Sequence, residues 1–237
     1  MGSADLADAA LARLIPTKHW ELLDATVLPD GDAMSLHRRG EEFSLRVVGF
    51  ELMNSRQHGS EERLAALGLS ALHDVSEPRV LVGGLGMGFT LRSALDLLPA
   101  AARVTVAELV PAVVEWNRSY LAHLAGEPLA DPRVSVVVSD VADLLRRSRA
   151  AFDVVLLDTD NGPEGTTQDG NDWLYSTAGL NTIKSALSPG GVVAVWSMFH
   201  SDAFTKRLLK SGFEAEAHFV RSRGTKGNRH VIWVGSR

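Results

Sequence analysis

Residues 80–95 read VLVGGLGMGFTLRSAL: an apolar run, four glycines at 83, 84, 86 and 88, and then a helix-forming segment. Backbone bent this tightly between a strand and a helix makes room for a ligand, because glycine accepts positive φ and lets a bound group approach the main chain. The free N–H groups of the following helix face the same place. In an open α/β sheet the binding crevice lies outside the carboxyl ends of the strands, so the loop stands at its edge. A glycine loop alone is also what a plain tight turn looks like, and the rest of the chain has to decide.

Outward from the loop, short apolar runs recur at RVLVGG, RVTVAEL, RVSVVVSD, FDVVLLD and GVVAVWS. Helix-like segments lie between them at 89–98, 111–124, 141–148, 172–187 and 202–211. Strands made almost wholly of Val, Leu and Ile, alternating with helices, predict a parallel sheet covered on both faces. The chain closes with FEAEAHFVRS and RHVIWVGS around the loop RGTKGN, which reads as an edge hairpin. Upstream, a short helix-like lead precedes residues 33–54, where alternation with turn signals at Arg39-Gly40 and Gly49 predicts an antiparallel meander of two or three strands. A helix follows over SEERLAALGLSALHDV, with Ser60 expected as its N-cap. The expected division is 1–57, an N-terminal helix and small β-meander, and 58–237, a Rossmann-like catalytic domain.

Acids mark the strand ends. Glu108 closes the second strand, where a carboxylate either accepts the hydroxyls of a ribose or is simply a solvent-exposed strand-end acid. Asp140 closes the third, placed either to accept from an adenine amino group or to cap the next helix. Asp158 and Asp160 close the fourth, in VVLLDTDNGPEG. Like charges this close repel unless something positive or protonated lies between them, which stability alone does not explain. A glycine loop and acids opening on one edge suit an adenosine-bearing molecule, and the acidic fourth position suits a cationic sulfonium or amine rather than a pyrophosphate.

Composition narrows the classes. The chain has 237 residues, 45% hydrophobic and 22% charged, with a net charge of −5. That acidity gives no electrostatic reason to expect a nucleic-acid partner. There is no cysteine, so disulfides, thiolate metal sites and a Cys nucleophile are excluded. The N-terminal MGSADLADAALARLIP lacks a signal-peptide pattern, and no apolar run reaches the ~20 residues of a membrane span. A cytoplasmic protein with a small-molecule acceptor and no membrane partner is the expectation, with no metal required.

With these residues in view, the chain resembles the spermidine-synthase-like branch of the S-adenosylmethionine-dependent methyltransferase superfamily. RVLVGGLGMGFTLRSAL is similar to that branch's strand, GGGDGG-type loop and TLRE helix start. VTVAELVPAVVEWNR is similar to its ribose-binding strand and VEIDPxVVE helix, DPRVSVVVSDVADLL to its DPRV…GDA segment, and LYSTAGLNTIKSALSPGGVVAV to its LYSxEFY…ALxPGG stretch. The resemblance implies a doubly wound, mostly parallel seven-stranded sheet with a small N-terminal β-domain, and a homodimer. It implies that S-adenosylmethionine, or its decarboxylated form, is held by Gly84, Gly86, Met87, Gly88, Glu108, Leu109, Asp140, Val141 and Asp158. Asp158, Asp160 and Tyr175 become the candidates for orienting the acceptor and taking its proton. Arg56, His58, Glu62, Asn161 and Tyr175 become candidates for the acceptor pocket, and Asn161–Tyr175 for a lid.

Departures from the branch pattern bear on the chemistry. Met87 stands where the aminopropyltransferases carry an Asp that holds the donor's amine. The active loop is shortened around Asp158 and Asp160. In the polyamine-contacting DExxYHE-type segment, Arg56 and Gln57 replace the acids, Ser60 replaces Tyr, and Glu62 is kept. An Arg facing an ammonium ~4 Å away costs about 4 kcal/mol at moderate screening. Methyl transfer to a small polar or amine acceptor is therefore expected ahead of aminopropyl transfer, with a non-catalytic nucleoside-binding module as the alternative outside enzymes. A nicotinamide oxidoreductase lacks an accompanying His, Lys or Tyr-Lys arrangement. Trp116, Trp173 and Arg63 read as packing and surface residues.

Overall fold

The computed structural model describes residues 19–73, 75–159, 162–163, 173–224 and 226–237. The chain divides into two compact units, Met1–Arg56 and Gln57–Arg237.

The first unit is an antiparallel sheet of four strands in chain order, β1 (Glu21–Val27), β2 (Ala33–Arg39), β3 (Glu42–Val47) and β4 (Phe50–Asn54). Met34 and Leu36 on β2 and Phe43 and Leu45 on β3 are buried together, the inward half of the alternation seen in the sequence. The strand missed by sequence reading is β1. Its ELLDATV buries none of its residues fully and so carries no clear period of two. It is an edge strand that owes its conformation to pairing with β2, from Glu21 opposite Arg38 to Val27 opposite Ala33.

The second unit is a seven-stranded sheet in the order β10-β11-β9-β8-β5-β6-β7. The parallel strands are β5 (Arg79–Gly83), β6 (Arg103–Glu108), β7 (Val134–Val138), β8 (Phe152–Leu157) and β9 (Leu187–Ser197). The hairpin β10 (Glu214–Arg223) and β11 (Lys226–Ser236) adds two strands, with β11 antiparallel to β9. All six residues of β8 are buried, as a central strand covered on both faces requires. The order reverses between β5 and β8, which places the crevice at the carboxyl ends of those two strands.

Among the described residues, six helices connect the strands: α1 (Gly59–Ser70), α2 (Phe89–Leu97), α3 (Pro111–Arg118), α4 (Val141–Arg146), α5 (Thr177–Ala186) and α6 (Asp202–Lys210). Helix α1 lies directly on the sheet at Gly68, where an added Cβ would come within 2.5 Å of Leu156 and 3.0 Å of Ala194. Three local expectations need correction. Ser60 is not the N-cap of α1; His58 occupies that position without a side-chain capping bond, and Ser60 lies inside the first turn. The helix expected over 111–124 stops at Arg118 and gives way to a 3₁₀ turn, Ala122–Ala125. The helix expected from 172 begins at Thr177, because Ser176 caps it by accepting from the Gly179 N–H at 3.2 Å. No helix among the described residues is long and apolar enough to cross a membrane.

Candidate active site

Three strand ends hold the glycine loop. The Gly84 N–H donates to the Ala107 carbonyl at 2.9 Å, and the Asp158 N–H donates to the Gly83 carbonyl at 2.9 Å. Gly84 has φ of +88°, and a Cβ there would sit 2.4 Å from the Asp158 carbonyl oxygen. Only glycine fits that approach, so the loop is pressed against the end of β8. Gly88, also left-handed, forms the N-cap of α2. The Gly86 carbonyl accepts from the side chain of Asn117 at 2.8 Å, and the same amide donates to Val113 at 2.9 Å. Sequence reading missed Asn117. Its signal was a polar residue on the buried face of α3, beside Val113, Val114 and Trp116.

Glu108 is buried, not a solvent-exposed strand-end acid. Its Oε2 accepts from the Leu85 N–H and its Oε1 from the Val110 N–H, both at 2.8 Å. The carboxylate therefore clamps the glycine loop to the end of β6. Beside it Leu109 is 40% exposed, an apolar surface open at the strand end. Asp140 caps α4, its Oδ1 accepting from the Ala142 N–H at 2.7 Å. Val141 is buried under the loop, where a Cβ on Gly83 would meet it at 2.9 Å. Met87 is fully buried.

Asp158 is partly buried at the end of β8, and its Oδ2 accepts from the Thr90 hydroxyl at 2.6 Å. Burial pushes its carboxyl up to about 6, against the lowering effect of the Thr90 bond. A second acid, which sequence reading did not single out, shares this environment: Glu61 on α1, buried and accepting from the Ser60 hydroxyl at 2.6 Å. Burial first, then the charge of Asp158, pushes Glu61 up to about 7. The spacing Glu61, Leu64, Ala65, Gly68 puts the acid on the buried stripe of α1, which was the available signal. Glu62, the acid kept in the branch pattern, instead points outward and pairs with His58 Nδ1 at 2.7 Å. The His58 ring in turn stacks on Phe89, the first residue of α2, at 4.2 Å between centroids.

Tyr175 is buried, with its hydroxyl 2.8 Å from the Thr159 hydroxyl and its ring edge-on to Phe204. It fixes Thr159 next to Asp158. Arg56 belongs to the first unit, where Glu42 engages its guanidinium at 3.0 Å. Arg63 is exposed and Trp116 is core. Trp173 carries the Arg146 guanidinium 3.8 Å above its ring. Asp160, Asn161 and most of the expected lid lie outside the described residues.

Residues 57–211 match the Spermine/spermidine synthase domain. Among curated relatives, the chain is 34% identical over 161 residues to polyamine aminopropyltransferase 2 of Pseudomonas aeruginosa, covering 63% of this chain and 43% of that one. It is 30% identical over 128 residues to putrescine N-methyltransferase 3 of Nicotiana tabacum, covering 52% of this chain and 32% of that one. The chain thus spans less than half the length of these two relatives. In fold it is similar to the spermidine synthase of Thermotoga maritima, with a TM-score of 0.73 and 18% identity over 91% of this chain and 72% of that one. With the family's domain matched across the glycine loop, Glu108 and Asp158, the chain belongs to the spermine/spermidine synthase family.

Proposed function

We propose that the chain is an S-adenosylmethionine-dependent transferase that delivers a methyl group to an amine acceptor. The observation that carries the reading is the convergence of Glu108 and Asp158 on one glycine loop, Glu108 through Leu85 and Asp158 through Gly83 and Thr90. The residues fit the donor. The loop Gly84–Gly88 offers close backbone approach to its methionine side, Glu108 accepts from the ribose, and Leu109 with the capping Asp140 flanks the base. When bound, the sulfonium supplies an activated carbon. The protein's part is to hold the acceptor nitrogen in line with that carbon and to take its proton. Asp158, with its carboxyl raised to about 6, is suited to that exchange near neutral pH.

Methyl transfer is favoured over aminopropyl transfer by Met87. The intact donor brings its own carboxylate, which an acid at this loop position would repel, and a buried methionine does not. Relatives of both kinds support keeping aminopropyl transfer as the second reading. Mass spectrometry of protein purified without dialysis tests the choice. S-adenosylmethionine or its demethylated product supports methyl transfer, and methylthioadenosine supports aminopropyl transfer. Calorimetry showing no uptake of either donor form rejects the reading.

A further inference from the structure

Helix α1 crosses the sheet obliquely. Gly59 lies against the Ser222 carbonyl on β10, where a Cβ would approach to 3.0 Å, and Gly68 lies against Leu156 of β8 and Ala194 of β9. The first turn of α1 therefore overlies the carboxyl edge of the sheet between β10 and β8. The intervening strands, β11 and β9, present His230 and Trp196 on this face. Trp196 is two residues beyond Ala194, and His230 two before Ile232, the partner of Trp196. Their rings lie 4.9 Å apart.

Both rings carry a buried nitrogen, His230 Nδ1 and Trp196 Nε1, with no hydrogen-bond partner among the described residues. His230 is 8% exposed. Buried polar atoms without partners are costly, and they concentrate where a ligand or ordered water completes them. On the same helical turn, Glu61 is buried within the electrostatic reach of Asp158. Asp158 lies two residues beyond Leu156, the β8 residue under Gly68, and Glu61 lies two turns before Gly68 on the same buried stripe of α1, so both acids belong to this edge of the sheet. Acids so placed are stable sharing a proton, or with a cation between them.

Building on the transferase reading, we propose that the acceptor is a monoamine that also bears an oxygen hydrogen-bond acceptor, its ammonium bracketed by Glu61 and Asp158 and its oxygen received by Trp196 and His230. The indole N–H only donates, so it recognises an oxygen and offers nothing to a second ammonium. His230 is held neutral by burial, so it adds no charge of its own. The other acid on this turn does not alter the balance, since Glu62 is paired with His58. In the transfer the ammonium passes one proton to Asp158, the freed nitrogen lone pair forms the new C–N bond, and the C–S electron pair stays on sulfur.

The test uses the full chain with S-adenosylmethionine and, in parallel, its decarboxylated form. The acceptors are 4-aminobutan-1-ol, 4-aminobutanoate, 1,4-diaminobutane and butylamine, with product read by mass spectrometry. One of the two oxygen-bearing amines is expected to exceed the diamine and butylamine about tenfold or more in kcat/KM, and which of them does so separates a hydroxyl from a carboxylate. W196F should bring that acceptor down to the level of butylamine. Glu61→Gln should raise its KM about tenfold, with donor affinity by calorimetry measured alongside to show that the variant folds. Equal or better use of the diamine, or an unchanged KM in Glu61→Gln, overturns the inference. If a donor binds and no amine reacts, the acceptor inference falls alone; if neither donor binds, the transferase reading falls with it.

Discussion

Glu61 and Asp158 set opposing demands on the protein. Both carboxyls are raised, to about 7 and about 6 from ordinary values of 4.5 and 3.8, chiefly by burial. A folded-state value above the unfolded one means that folding favours the protonated form. Stability from these groups is present below about pH 4 and is lost as pH rises through about 6 and 7. Glu61→Gln and Asp158→Asn keep an acceptor for Ser60 and Thr90 but cannot ionise. Each is expected to be more stable than the parent at pH 8, by about 2 kcal/mol, and to converge with it near pH 4. Thermal melts across that range check the sign. Activity should run the other way. For the parent, kcat/KM should climb as the pair ionises between about pH 6 and 7, and Asp158→Asn should lose roughly 10²–10⁴-fold while donor affinity holds.

At the scale of elements, the loop between β5 and α2 depends on what presses against it. Gly84→Ala forces a side chain into positive φ and onto the Asp158 carbonyl. It should cost about 2 kcal/mol or more and displace Asp158, visible in both denaturant unfolding and lost turnover. Asn117→Ala removes a buried amide that ties α3 to the Gly86 carbonyl. An expected loss of about 1–3 kcal/mol should accompany weaker donor binding, read by calorimetry. The parallel strands were legible in advance because a central strand such as β8, buried at every residue, must be apolar throughout. Strand β1 was not, because an edge strand exposed on most of its length leaves no pattern to read. Ser60 misled for a related reason: serine is a good cap, but the helix begins two residues earlier than that cap would place it and spends the hydroxyl on Glu61.

For the whole molecule, a ligand that binds only the folded state must stabilise it. S-adenosylmethionine at a hundredfold excess over its Kd should add about 2.7 kcal/mol, seen as a rise in Tm that saturates with the nucleoside and is absent with adenine alone. Sequence by itself determined the alternation of strands and helices in the second unit, the glycine loop and the acids that end β6, β7 and β8, since each depends on residue type and local period. Tertiary structure decided what surrounds each side chain. Glu61 is buried and raised by the charge of Asp158, Glu62 turns out to His58, Tyr175 is buried with its hydroxyl on Thr159, and Arg56 pairs with Glu42. The difference is physical: periodicity reports which face of an element is buried, whereas a carboxyl's partner and charge depend on groups brought beside it from nearly 100 residues away along the chain, as Asp158 is to Glu61.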